Sequence, residues 1–172
     1  MRKIFPLILA GLLGNVAHAE SSDFLPTAKL KMDQLSSWNF GGGITQRLAH
    51  LNAEWVNPYG IAYGKLGAYI NDQHELGGQV GFRFPVVLNG KDFNGFYLGA
   101  FAGSLKTKPI SNTDDETQWG GGVDLSYVIL NKERISSFSV GIAVGDEVKK
   151  GDVVLFKTEP QIQFAYTLSV GF

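Results

Sequence analysis

The chain ends on Gln161-Ile162-Gln163-Phe164-Ala165-Tyr166-Thr167-Leu168-Ser169-Val170-Gly171-Phe172, and the fold follows from how these residues alternate. Ile162, Phe164, Tyr166, Leu168, Val170 and Phe172 are bulky and apolar, whereas the residues between them are polar or small. A period of two is the side-chain period of a strand, so one face is oily and the other compact or hydrophilic. A soluble sandwich fills its core with the large apolar face. The opposite plan, with apolar side chains facing lipid and small or polar ones facing a lumen, belongs to a membrane barrel.

A final strand of alternating apolar residues closing on a C-terminal Phe resembles the assembly signal of bacterial outer-membrane β-barrel proteins, carried here by Phe164, Tyr166, Leu168 and Phe172. Among small barrels the chain is similar in pattern to the OmpA-like and OmpX-like families and, more loosely, to the YfaZ type. The resemblance implies a closed eight-stranded antiparallel up-and-down transmembrane β-barrel. It also implies outer-membrane lipid, lipopolysaccharide and the barrel-assembly machinery as partners.

Working back from the C-terminus, the same period places seven further strands, at about residues 39–46, 48–56, 60–70, 75–84, 95–105, 118–130 and 135–145. Eight strands satisfy the even number of bacterial single-chain barrels. Predicted outward residues are Leu51, Ala53 and Trp55; Leu66, Ala68 and Ile70; Val80, Phe82 and Phe84; Val123, Leu125 and Tyr127; and Phe138, Val140, Ile142 and Val144. The turns test this facing, because antiparallel partners directly opposite share a side of the sheet. A turn at Asn57-Pro58-Tyr59-Gly60 pairs Val56 with Ile61 and Trp55 with Ala62, and a turn at 131–134 pairs Tyr127 with Phe138. The segment 95–105 is apolar on both faces, with Phe96 and Leu98 against Tyr97 and Phe101, so the period alone does not orient it.

The other end carries a secretory leader: Arg2 and Lys3, an apolar run from Ile4 to Leu13, and Ala17-His18-Ala19 before the cleavage point. The run is too short for a membrane helix of about 20 residues. The domains expected are thus a signal peptide at 1–19, a periplasmic N-terminal lead at 20–37, in which Leu30 and Met32 suggest a ninth strand or a short helix, and the barrel at 38–172. Removing the leader leaves 13 basic and 16 acidic residues, a net charge of −3 with no basic stripe for nucleic acid. Cysteine is absent, which excludes disulfides, thiol catalysis and zinc thiolates. Connections at 57–60, 88–94 and 131–134 are short, whereas 106–117 and 146–160 are longer and charged. Short turns face the periplasm in such barrels, so both barrel termini are expected there.

The predicted lumen receives His50, Asn52, Glu54, Lys65, Gln79, Arg83, Asp124, Gln161 and Gln163. Its four charged members sum to zero, and Lys65 falls opposite Asn52 and diagonal to Glu54, within reach of a long side chain. This is the pattern of a self-neutralised plug, the usual filling of eight-stranded barrels, with an ion path or ligand site as the sharper alternative. His50 and Glu54 share a face but find no nucleophile. His74, beside Asp72 and Glu75, lacks a third ligand for a metal. The runs 41–43 and 120–122, three glycines each, lack the Lys-Ser/Thr of a phosphate loop and read as close packing or curvature. Trp55, Phe84, Phe96, Trp119, Tyr127, Phe138 and Phe172 fall near strand ends, where interfacial girdles form.

The expectation is a non-enzymatic, monomeric outer-membrane barrel without catalytic residues, metal or cofactor, serving envelope integrity or surface interaction. The alternatives are a narrow passive channel and a lipid-A-modifying barrel enzyme, for which the sequence offers no His-Ser pairing. A lipocalin-like soluble barrel would reverse the facing of the large apolar side chains.

Overall fold

The computed structural model describes residues 30–70, 75–89, 93–109, 115–150 and 153–172. The expected signal peptide, the expected lead up to residue 29, and Asp72 and His74 lie outside them. Eight strands close into an antiparallel barrel: β1 (Trp38–Thr45), β2 (Leu48–Asn57), β3 (Gly60–Tyr69), β4 (Leu76–Leu88), β5 (Gly95–Pro109), β6 (Asp115–Leu130), β7 (Arg134–Gly145) and β10 (Gln161–Gly171). Each pairs with its neighbour in sequence, and β10 returns to β1 to shut the cylinder. This arrangement is consistent with the OmpX-like fold. A separate hairpin, β8 (Val148–Lys150) and β9 (Val153–Phe156), occupies part of the long charged connection before β10.

Both expected turn registers are present: Val56 pairs with Ile61 and Trp55 with Ala62, while Tyr127 pairs with Phe138 and Leu125 with Val140. The first turn needs Gly60, whose φ of +150° is unfavourable for residues with a Cβ and whose added Cβ would meet the Arg83 carbonyl oxygen at 2.1 Å. The β1–β2 connection is the tight one at Gln46 and Arg47. Thr45 caps it by accepting hydrogen bonds from the Arg47 and Leu48 amides. Beyond the end of β1, the Gln46 side-chain amide continues the ladder, donating to the Ile162 carbonyl and accepting from the Phe164 amide.

The bulky alternating side chains all face outward. Leu51 is 75 % exposed and Leu66 64 %, and Val80, Leu125, Val140, Phe164, Tyr166, Leu168 and Phe172 are likewise exposed. The inward face carries mainly polar and small residues, from Asn39 and Glu54 to Thr167 and Ser169, with a few buried rings such as Tyr63 among them. The strand that the period left unoriented is settled by its pairing: Phe96 and Leu98 point out, Tyr97 and Phe101 point into the lumen.

Three segments extend beyond their sequence-based bounds. β4 continues past Phe84 to Leu88 through a register shift between Pro85 and Val87, a bulge that accommodates a residue with no N–H to donate. β5 and β6 run on as a paired hairpin into the expected loop at 106–117, after a shift between Ser104 and Lys106. Among its described residues, 30–37, the lead forms no ninth strand. Met32–Gln34 is one short 3-10 helix, and it carries Leu30 and Leu35 into the barrel end that holds the start of β1 and the end of β10.

There Leu30 and Leu35, both buried, join Val56, Ile61, Tyr97, Val128, Leu130 and Ile135 in one apolar cluster. The segment is tied down by Leu30 N–H to the Pro58 carbonyl at 3.0 Å, Val56 N–H to the Ser37 carbonyl at 2.8 Å, and the Ser36 hydroxyl to the Lys132 carbonyl at 2.8 Å. It stoppers the terminal end of the barrel.

Candidate functional site

The barrel's interior is the candidate site, and its shape follows from side-chain size around each row of the sheet. One row reads Arg83, Gly99, Asp124, Gly141 and Gln163 on successive paired strands; the next reads Glu54, Tyr63, Gly81, Phe101 and Gly122. Large and small residues largely alternate, as the taper of a small barrel requires. The glycines are steric requirements. A Cβ on Gly99 would come within 2.1 Å of Asp124 Oδ1, and one on Gly81 within 2.5 Å of the Tyr63 ring.

Above the apolar stopper lies an ionic layer. Glu54 and Arg83 are 1 % and 0 % exposed and face each other at 3.6 Å, Oε1 to Nη1. The Ser169 hydroxyl donates to the Glu54 carboxylate and itself accepts from Asn52 Nδ2 at 2.7 Å. Arg83 Nη1 also donates to the Ser137 hydroxyl at 3.1 Å, and its guanidinium lies 4.5 Å from the centre of the Tyr63 ring. Such a pair is tolerable in a low-dielectric interior because hydrogen bonds and an aromatic face supplement the Coulombic attraction.

The four charged residues do not all meet as ion pairs. Lys65 is opposite Asn52, as the register requires, but its ammonium lies over the Tyr63 ring, 4.9 Å from the centroid. Asp124 accepts from the Ser126 hydroxyl at 3.2 Å. Lys65 and Asp124 instead line one small gap with Tyr63, Gln79, Phe101 and Gln163, and the space, about 10 Å³, suits about one water. Gln79 is buried beside it and donates to the Ser104 carbonyl.

His50 is buried on the same face as Glu54, but the two form no hydrogen bond among the described contacts. The Glu54 carboxylate is taken up by Ser169 and Arg83. The imidazole instead packs against Gly43, where a Cβ would approach its Cε1 to 2.8 Å. Among the described residues no group of three His, Cys, Asp or Glu side chains has metal-binding geometry.

At the opposite end the lumen closes with polar side chains. Arg47 Nη1 donates to Gln161 Oε1 at 2.9 Å, Gln161 Nε2 donates to Gln118 Oε1 at 2.9 Å, and Gln118 Nε2 donates to the carbonyls of Asp146 and Lys157. Gln161 thus faces inward, as does Gln163 at the gap. The period by itself does not single out Tyr63, Ser137, Ser169 or Gln118 as site residues. Their parity on already recognised strands was the available signal, since each lies an even number of residues from an inward neighbour.

The exposed rings gather at the terminal end. Trp38 stacks near Phe40 and Trp55, at centroid distances of 6.2 and 6.3 Å, Phe40 approaches Phe172 at 6.1 Å, and Phe96 meets Tyr127 edge-on at 5.2 Å. Trp119 is exposed toward the other end. No protein-family model matches the chain, and searches of curated proteins and of solved structures yield no match either.

Proposed function

We propose that this chain is a non-enzymatic β-barrel of a bacterial outer membrane, contributing to envelope integrity or surface interaction. The observation that carries the reading is the inverted partition of side chains. Among the described residues 31 large hydrophobic side chains are exposed, on the order of 2,000 Å² of apolar surface where a soluble monomer carries a few hundred in any one patch. The height of the belt supports the same reading. From Ile162 to Phe172 a strand advances about 33 Å, or about 25 Å along a barrel axis tilted by about 40°, which matches the apolar band of outer-membrane barrels.

In this placement the short turns, the termini and the Leu30–Leu35 stopper face the periplasm, and the β5–β6 and β8–β9 hairpins face outward. The packed lumen, stoppered by an apolar cluster and crossed by a fully buried Arg83, favours a structural barrel over a narrow channel. The Glu54 carboxylate is engaged by Ser169 and Arg83, which supports a structural role for it.

Depth-dependent fluorescence quenching tests the placement. Protein folded into vesicles of lipids brominated at shallow or deep acyl positions is expected to show Trp38, Trp55 and Trp119, each as the single tryptophan, quenched most by shallow bromine. A tryptophan placed by Leu66→Trp is expected to respond most to deep bromine. Equal and weak quenching at every position, with the protein left in the aqueous fraction, refutes it.

A further inference from the structure

The barrel end opposite the stopper is shut by side chains that also hold a piece of chain outside the barrel. β8 and β9 form a two-stranded sheet separate from the barrel, and a lone two-stranded hairpin has marginal stability in water. Its seating therefore depends on its two feet. Both rest on one side chain: Gln118 Nε2 donates to the Asp146 carbonyl at 2.9 Å, before β8, and to the Lys157 carbonyl at 3.2 Å, after β9. The Asp146 N–H adds a bond to the Trp119 carbonyl at 2.9 Å.

The same amide closes the lumen. Gln118 Oε1 accepts from Gln161 Nε2 at 2.9 Å and Gln161 Oε1 accepts from Arg47 Nη1 at 2.9 Å, so a polar chain runs from the β1–β2 turn past β10 and β7 to β6. Both N–H groups and the oxygen of the Gln118 amide are engaged, and the residue is fully buried. Gln163 follows Gln161 on the same inward face, about 7 Å deeper along the strand, and lines the gap shared by Lys65, Asp124 and Ser139. The polar chain is thus the layer directly above that gap. Gly145 makes room for it: a Cβ there would come within 2.6 Å of Gln118 Cδ and 2.8 Å of its Nε2. A methyl at that position displaces a flexible side chain and not backbone.

We propose that Gln118 is a latch that couples the β8–β9 hairpin to the closure of the lumen. When the hairpin's feet leave the amide, Gln161 and Arg47 lose their anchor, and small solutes reach the Lys65–Asp124 gap. A displacement of the hairpin from outside is thereby transmitted to the barrel's interior. The inference goes beyond the envelope role and stands apart from the membrane placement, because every group in the latch belongs to the polar end of the barrel.

The test uses the chain folded in a neutral detergent. Its lack of cysteine allows single reporters, Ser139→Cys at the gap and Val128→Cys in the apolar stopper. A small charged methanethiosulfonate added from solution is the probe, and hydrogen exchange read by mass spectrometry follows the hairpin amides. Ser139→Cys is expected to label slowly while Gln118 is in place. Two second substitutions break the latch differently: Gln118→Met keeps the length without a donor, and Gly145→Ala pushes the amide aside. In each, labelling of Ser139→Cys is expected to rise roughly tenfold, the factor set by about one lost buried hydrogen bond, with faster exchange at 148–150 and 153–156. Val128→Cys is expected to stay protected in every background. Unchanged labelling of Ser139→Cys in either variant overturns the latch, and faster labelling with unchanged hairpin exchange overturns its coupling to the hairpin. Equal labelling of Val128→Cys reports a barrel loosened throughout and overturns it as well.

Discussion

Removing one member of the Glu54–Arg83 pair should cost more than removing both. In Arg83→Met the Glu54 carboxylate stays 1 % exposed and loses its facing charge; breaking a buried pair in this way typically costs about 3–5 kcal/mol. The lower part of that range applies here for two reasons. The 3.6 Å separation exceeds the roughly 2.7–2.9 Å of a strong charge-assisted hydrogen bond, and the Ser169 hydroxyl remains to hold the carboxylate. About 3 kcal/mol is expected.

Glu54→Met should cost somewhat less, about 2 kcal/mol, because Arg83 retains Ser137 and the face of Tyr63. The double variant, with no charge left to strand, should fall within about 1–2 kcal/mol of wild type, giving a coupling energy of at least about 2 kcal/mol. Urea unfolding followed by tryptophan fluorescence, with the protein folded in detergent or vesicles, reads these values. At a slope of roughly 1–3 kcal/mol per molar urea, Arg83→Met should lower the midpoint by about 1–3 M. Single-variant costs that add to the double-variant cost within about 0.5 kcal/mol would refute the reasoning, because independent sites add and a coupled pair does not.

Two further outcomes follow from packing. A Cβ on Gly43 would meet the Tyr166 carbonyl oxygen at 2.2 Å at the β1–β10 seam, whereas one on Gly64 meets nothing within 4 Å; Gly43→Ala should therefore destabilise by more than about 2 kcal/mol and Gly64→Ala by less than about 0.5 kcal/mol, read by the same urea titration. Leu30→Ala or Leu35→Ala opens the terminal stopper and should cost about 2–3 kcal/mol, the low side of a core Leu→Ala because the barrel end can relax; wild-type midpoints in both variants would show that the segment is not a stopper in solution.

The outer surface was readable from sequence because its constraint is local. Each strand must present a bulky apolar residue at every second position, and the short turns at Pro58 and Asn131 carry that parity from one strand to the next without ambiguity, so the pairings of Trp55 with Ala62 and Tyr127 with Phe138 could be written down in advance. Where the parity is shared by both faces, as at Tyr97 and Phe101, the period is silent, because those two rings are lumen fillers as large as the side chains that cover the exterior. Pro85 likewise hid the last turn of pleats in β4, since a missing N–H reads as a strand end unless a bulge absorbs it. The contacts of Leu30 and Leu35 span long separations in sequence, and no periodicity records them.

Parity also named which polar side chains enter the lumen, but not which of them meet. Strand tilt and stagger offset the side chains that face each other across a barrel, so Glu54 finds Arg83 from β4 and Ser169 from β10, and not Lys65 on the neighbouring strand. The deciding factor is the space left by glycine. Gly81 stands where a side chain would strike the Tyr63 ring, and Gly99 where one would strike Asp124 and the Arg83 Cγ. With both positions empty, the Tyr63 ring lies over Gly81, and the Arg83 guanidinium lies against that ring on its way to the carboxylate. The ionic layer is thus specified by glycines as much as by charges, and a row-by-row alternation of large and small residues is the signal through which a sequence of this kind reveals its interior pairs.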